Sequence, residues 1–216
     1  MKSIVNAFVL FLLALIACSQ YIPTRQFYLL DYPIRNDSIR QAIDSLGQLP
    51  LCNSNVLIGS FDMPRIYDRN NITVRYTIHE LNYFRYHLWA LRPGDNIRDL
   101  VYRHLAAYRL FRELSSEYTG QPYDMQIKAN ILCMERYEHK GTEVEHFAAH
   151  LEIELELVHN DSLTPIVYHY FDRSEKIYQS EVYAYVAKTS EILRQEIDQF
   201  ITKIIRHYHP PDSLHE

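Results

Sequence analysis

The chain has 216 residues, with 22 Lys plus Arg against 27 Asp plus Glu and a formal net charge of −5. No basic cluster offsets this balance, which excludes a nucleic-acid-binding surface. Only 5 glycines and 9 prolines exclude a low-complexity chain, and the length suffices for one domain with its own core.

In chain order, Met1-Lys2 supplies a positive start, and residues 4–16 are apolar except for Asn6. That run is well short of the roughly 20 apolar residues that a membrane-spanning helix needs. It reads as a signal peptide over residues 1–17. Leu15-Ile16-Ala17-Cys18 resembles the lipobox of bacterial lipoproteins. The resemblance implies cleavage before Cys18, acylation of that cysteine (palmitate among the acyl groups) and a lipid anchor with more than one chain, which holds stably where a single chain binds only marginally. Ser19 in place of Asp points, by the sorting rule of many such lipoproteins, to the periplasmic face of the outer membrane. Residues 18–24 then form a lipidated tether, and residues 25–209 one domain.

Strands are expected over residues 25–31, 55–61, 72–79 and 82–89, each rich in aromatic and β-branched residues, with a short helix near residues 38–46. After Pro93-Gly94 the period changes. Asp95 or Asn96 can cap a helix whose apolar face is Ile97, Leu100, Val101, His104, Leu105, Tyr108, Phe111 and Leu114, running to about residue 117. Residues 125–133 and 146–157 alternate, with Phe147, Ala149, Leu151, Ile153, Leu155 and Leu157 on one side of the second run. Lys140-Gly141 is a hairpin-turn candidate between them. A strand over residues 165–171 and a long helix over residues 178–208 follow, and Pro210-Pro211 stops the helix. The order predicts an α+β two-layer sandwich: a mainly antiparallel sheet with two helices packed on one face.

Chemistry is sparse. The chain contains no G-x-S-x-G, P-loop, G-x-G-x-x-G or C-x-x-C motif, so neither an enzyme nor a cofactor is expected. His146 and His150, near Glu152 and Glu154, are the strongest metal-like grouping. On one strand the two histidines stand about 13 Å apart at about 3.3 Å per residue, so no metal site is expected there. His207, His209 and His215 read as a polar tail. Cys52 and Cys133 are a candidate disulfide in an exported chain, although Cys133 also fits as a buried free thiol. The run Tyr83–Trp89 (YFRYHLW) is a candidate platform for a ligand or partner.

Several motifs resemble the ABC-type transport auxiliary lipoproteins, which include the paraquat-inducible C lipoproteins. They are the lipobox, the strand Phe27-Tyr28-Leu29-Leu30, the segment from Pro64 through Asp68-Arg69 and Ile72 to Arg75, the pair Trp89-Ala90 and the long C-terminal helix. Tyr67 and Asn70-Asn71 stand where members often have Leu and Pro-Gln. The resemblance implies an accessory lipoprotein that works by binding with an MCE-domain protein and its ABC permease and ATPase in lipid transport between membranes, with phospholipid within reach and ATP hydrolysis on another subunit. Arg65, Tyr67, Asp68, Arg69 and Trp89 are then the candidate partner contacts, and a tyrosine-rich chain of this kind also suits self-association as a homo-oligomer. Two other functions compete: lipid or lipopolysaccharide binding in a cleft between sheet and helices, and a metal-dependent envelope hydrolase built on His146 and His150.

Overall fold

A computed structural model describes residues 23–210 except 48, 119, 140–145 and 163. The segments expected to be a signal peptide and most of a lipidated tether, with Cys18, the Lys140-Gly141 turn candidate and His215, lie outside the described residues, and the His146 side chain is not described.

The elements are β1 (Gln26–Tyr28), α1 (Asp37–Ser45), β2 (Cys52–Asp62), β3 (Asn71–Thr77), β4 (Glu80–Trp89), α2 (Pro93–Tyr108), β5 (Phe111–Ser115), β6 (Met125–His139), β7 (His146–His159), β8 (Pro165–Ile177) and α3 (Val182–Tyr208). α1 begins where the Asn36 side chain accepts from the backbone N–H groups of Ser38 (3.1 Å) and Ile39 (3.2 Å), satisfying donors that a first helical turn leaves open. Ile39 and Ile43, one turn apart, bury its inner side.

α2 ends nine residues earlier than the sequence period suggests. Arg109 adopts a left-handed conformation (φ 51°, ψ 40°), which breaks the i to i−4 ladder. The Leu110 carbonyl then accepts from the Cys52 N–H at 2.9 Å, and the chain continues as β5, parallel to β2. Glycine is the usual residue at such a helix end; an arginine there left no signal, and Phe111 and Leu114 extended the helical spacing by coincidence. Asn96 is not the expected cap. Its buried amide accepts from the Leu30 N–H (2.8 Å) and donates to the Leu30 carbonyl (3.2 Å), fixing the chain after β1 against the first turn of α2.

The eight strands form one mixed sheet, not a mainly antiparallel one. β3–β4, β6–β7 and β7–β8 are antiparallel, but β1–β4, β2–β5, β2–β6 and β3–β6 are parallel. The cause is β6. One edge of this long strand pairs with β7 along its length. The other edge is shared end to end, with β2 taking the segment from Met125 to Asn130 and β3 taking Arg136 and Tyr137.

Two helices pack on the sheet, α3 against β7 and β8 and α2 against β2, while the short α1 packs against α3. The apolar side of β7 (Leu151, Ile153, Leu155 and Leu157, all 0% exposed) meets Ile192, Leu193, Ile197, Phe200, Ile201 and Ile204 of α3 in one core. The alternation of β7 sets this inner face, and the opposite face carries Glu152, Glu154 and Glu156.

Candidate functional site

The sharing of one β6 edge leaves a gap. β2 pairs up to Asp62 opposite Asn130, and β3 resumes with Val74 opposite Arg136. Ile131 to Glu135 therefore meet the β2–β3 connection instead of a strand. That connection folds tightly, with the N–H groups of Tyr67 (2.8 Å) and Asp68 (3.0 Å) both donating to the Pro64 carbonyl.

Within the same gap the β6–β7 register shifts: Ile131 faces Ile153, but Cys133 faces Glu152. Leu132 is the extra residue of a β-bulge, and a one-residue shift exchanges the two faces of a strand. Met134 and Arg136 therefore point with Leu151 and Ala149 toward the helices. Cys133 and Glu135 join Glu152 and His150 on the outer face, under the β2–β3 connection. The inward alternation expected for Cys133 does not hold, because the bulge intervenes.

A polar cluster results. The Tyr67 hydroxyl donates to Glu135 Oε2 at 2.9 Å and accepts from Arg75 Nη2 at 3.4 Å and from the Cys133 thiol at 3.4 Å. Arg75 Nε donates to Glu135 Oε1 at 2.5 Å. His150 Nδ1 lies 3.4 Å from Cys133 Sγ and 3.7 Å from Glu135 Oε1, while its Nε2 lies 2.8 Å from Asp172 Oδ1. Tyr67, Cys133 and Glu135 are buried, the His150 side chain is partly open at 24%, and Asp172 is exposed.

Burial pushes the Glu135 carboxyl up, but the hydrogen bonds from His150, Arg75 and Tyr67 outweigh it and hold the group at about 2. Hydrogen bonds to Cys133 and Glu135 raise His150 to about 11 against the opposing effect of burial. Burial together with the Cys133 hydrogen bond raises the Tyr67 phenol, so it stays a donor.

The expected partner contacts divide. Arg65 is exposed on the β2–β3 connection, and Ile66 beside it, not foreseen, is 43% exposed. Asp68 pairs with Arg92 at 3.4 Å, and the Arg69 guanidinium lies 4.1 Å over the Tyr83 ring. Tyr67 and Trp89 are corrected: both are buried and present no surface to a partner. Tyr67 points down onto Glu135, and Trp89 packs 6.1 Å from the Tyr185 ring of α3. The backbone beside Trp89 is latched to Asn70 by bonds of 2.6 and 3.3 Å.

Cys52 and Cys133 are free thiols, so the candidate disulfide is not formed. Val56 pairs with Met125, and Cys133 lies about 26 Å farther along β6, at about 3.3 Å per residue, while Cys52 lies on the other side of that level. A disulfide needs Cα atoms within about 7 Å. His150 does find metal-type neighbours among the described residues, Cys133 and Glu135 on β6 and Glu152 with Asp172 on the other side. Glu152 and Glu154 also accept from Tyr170 (2.9 Å) and Tyr168 (3.2 Å) on β8.

Residues 45–200 match the family model described as the ABC-type transport auxiliary lipoprotein component. The chain belongs to this family. Membership makes it an envelope-associated lipoprotein component that is auxiliary to ABC-type transport. No protein of curated function matches the sequence. Among solved structures, protein XCC0632 from Xanthomonas campestris, described there under the family model DUF330, superposes with a TM-score of 0.68 at 17% identity, over 87% of this chain and 99% of that one. An uncharacterised protein superposes with a TM-score of 0.55 at 14% identity, over 85% and 97%. At these identities the likeness is one of fold. Among the described residues no helix of this auxiliary lipoprotein is long and apolar enough to cross a membrane.

Proposed function

We propose that this lipoprotein is an accessory component of an MCE-type ABC transporter that moves phospholipid between membranes. It is anchored at the periplasmic face of the outer membrane through acyl chains on Cys18, and it acts by binding rather than catalysis. The observation that carries the proposal is the family match over residues 45–200, read beside Leu15-Ile16-Ala17-Cys18. The lack of a nucleotide motif leaves ATP hydrolysis to another subunit.

On this reading the exposed tip of the β2–β3 connection, Arg65 and Ile66, docks on the MCE protein. An arginine beside an exposed aliphatic residue, on a loop rigidified from beneath by Tyr67, is a suitable binding anchor because little order is lost on docking. Arg65→Glu with Ile66→Asp should reduce co-purification of the transporter at least tenfold, equivalent to about 1.4 kcal/mol, with the melting temperature unchanged. Cys18→Ser should abolish palmitate labelling in the same strain. A double mutant that still captures the transporter in full would remove this loop from the interface, and palmitate labelling that survives Cys18→Ser would remove the anchor.

A groove of about 440 Å³ between the end of α2, β5 and Leu49-Pro50 favours a second function, direct lipid binding. Leu49, Leu105, Leu110 and Leu114 line it beside Arg109 and Arg112, a combination suited to an acyl chain under an anionic headgroup. Lipid co-purifying with wild type but lost in Leu114→Glu, identified by mass spectrometry, would support this function. Equal lipid content in both would discard it.

A further inference from the structure

We propose that Cys133, Glu135 and His150 form a binding site for one thiophilic divalent cation, zinc being the best match, with Asp172 orienting the histidine and Tyr67 as the roof. A thiolate, an imidazole and a carboxylate are three ordinary protein ligands of zinc. Their donor atoms already lie within 4.8 Å of one another. Zinc bonds of about 2.0–2.3 Å at tetrahedral angles put ligand atoms about 3.3–3.6 Å apart. The Cys133 Sγ to His150 Nδ1 distance is 3.4 Å, and the His150 Nδ1 to Glu135 Oε1 distance is 3.7 Å. A cation would enter this triangle with movements of a few tenths of an ångström.

The surroundings support the same conclusion independently. A metal-bound histidine usually gives its other ring nitrogen to a carboxylate, which fixes the tautomer and the ring angle. His150 turns Nδ1 toward Cys133 and Glu135 and Nε2 toward Asp172 Oδ1 at 2.8 Å. The Tyr67 hydroxyl, 3.4 Å from Cys133 Sγ, lies beside the fourth position. The partly exposed His150 side gives an entry path. Arg75, bonded to Glu135 Oε1, is the opposing charge, and it weakens the affinity that three ligands alone would provide. Zinc takes cysteine as the thiolate and histidine as the neutral imidazole, so its binding here is favoured by rising pH.

The test uses the full chain in detergent, stripped of metal by a chelator and titrated with cobalt(II) alone and then with zinc(II). One equivalent of cobalt should produce a thiolate-to-cobalt charge-transfer band in the near ultraviolet, and zinc should bleach it. Cys133→Ser should remove the band, while Cys52→Ser should leave it intact. Asp172→Asn should weaken zinc binding 10–100-fold with the melting temperature of the metal-free protein unchanged, since Asp172 is exposed. Cobalt binding without the band, a band that survives Cys133→Ser, or alkylation of Cys133 at the same rate with and without zinc would each overturn the site.

Discussion

Glu135→Ala should lower the free energy of unfolding by about 3–5 kcal/mol in metal-free buffer at neutral pH. Its side chain is 3% exposed and accepts from Arg75 at 2.5 Å and Tyr67 at 2.9 Å. Removing one member of a buried pair leaves the other charge without its partner, which costs more than the pair contributes against an apolar replacement. The effect depends on pH. The folded carboxyl titrates at about 2 against an ordinary 4.5, so its contribution is complete above about pH 4.5 and is lost as the pH falls toward 2. His150, raised from 6.5 to about 11, acts in the opposite direction: its contribution is complete below about pH 6.5 and fades as the pH rises toward 11. The cluster should therefore be strongest between about pH 4.5 and 6.5. In urea titrations, the gap between wild type and Glu135→Ala should narrow from pH 5 to pH 3. A gap that stays constant over that interval would mean that Glu135 is not held as a carboxylate.

Leu151→Ala should cost about 2–5 kcal/mol, the sum of lost transfer free energy and a residual cavity. Leu151 is 0% exposed, pairs with Met134 on β6 and Arg173 on β8, and belongs to the core that α3 covers. A central strand on a long sheet cannot move inward without disturbing both neighbours, so relaxation should recover little of the loss. Glu156→Ala, on the opposite face of the same strand, should change stability by no more than about 0.5 kcal/mol. Equal losses for the two substitutions would contradict the assignment of the inner face of β7.

Elements with an uninterrupted period could be read from the sequence. β7 alternates from Ala149 to Leu157, and α3 carries its apolar stripe from Val182 to Tyr208, so residue spacing alone assigned their type and buried side. The strands flanking the β2–β3 connection and the short α1 also lie close to where they were expected, the strands because β-branched and aromatic residues suit a pleated surface. The family resemblance was legible because its motifs are local strings, and the family match over residues 45–200 agrees with it.

Three features were decided only by tertiary structure. The end of α2 depends on the β2 edge that receives Leu110, since a left-handed arginine has no sequence signature. The mixed sheet arises because β2 and β3 divide one edge of β6, and strand direction is a property of pairing partners far apart in sequence. The Cys133 cluster depends on the Leu132 bulge. One extra residue exchanged the faces of β6 and brought Cys133 and Glu135 to His150 beneath Tyr67. A local string shows which residues are apolar or polar. Which face each occupies past a bulge is set by register, and register is an energy balance over the whole sheet.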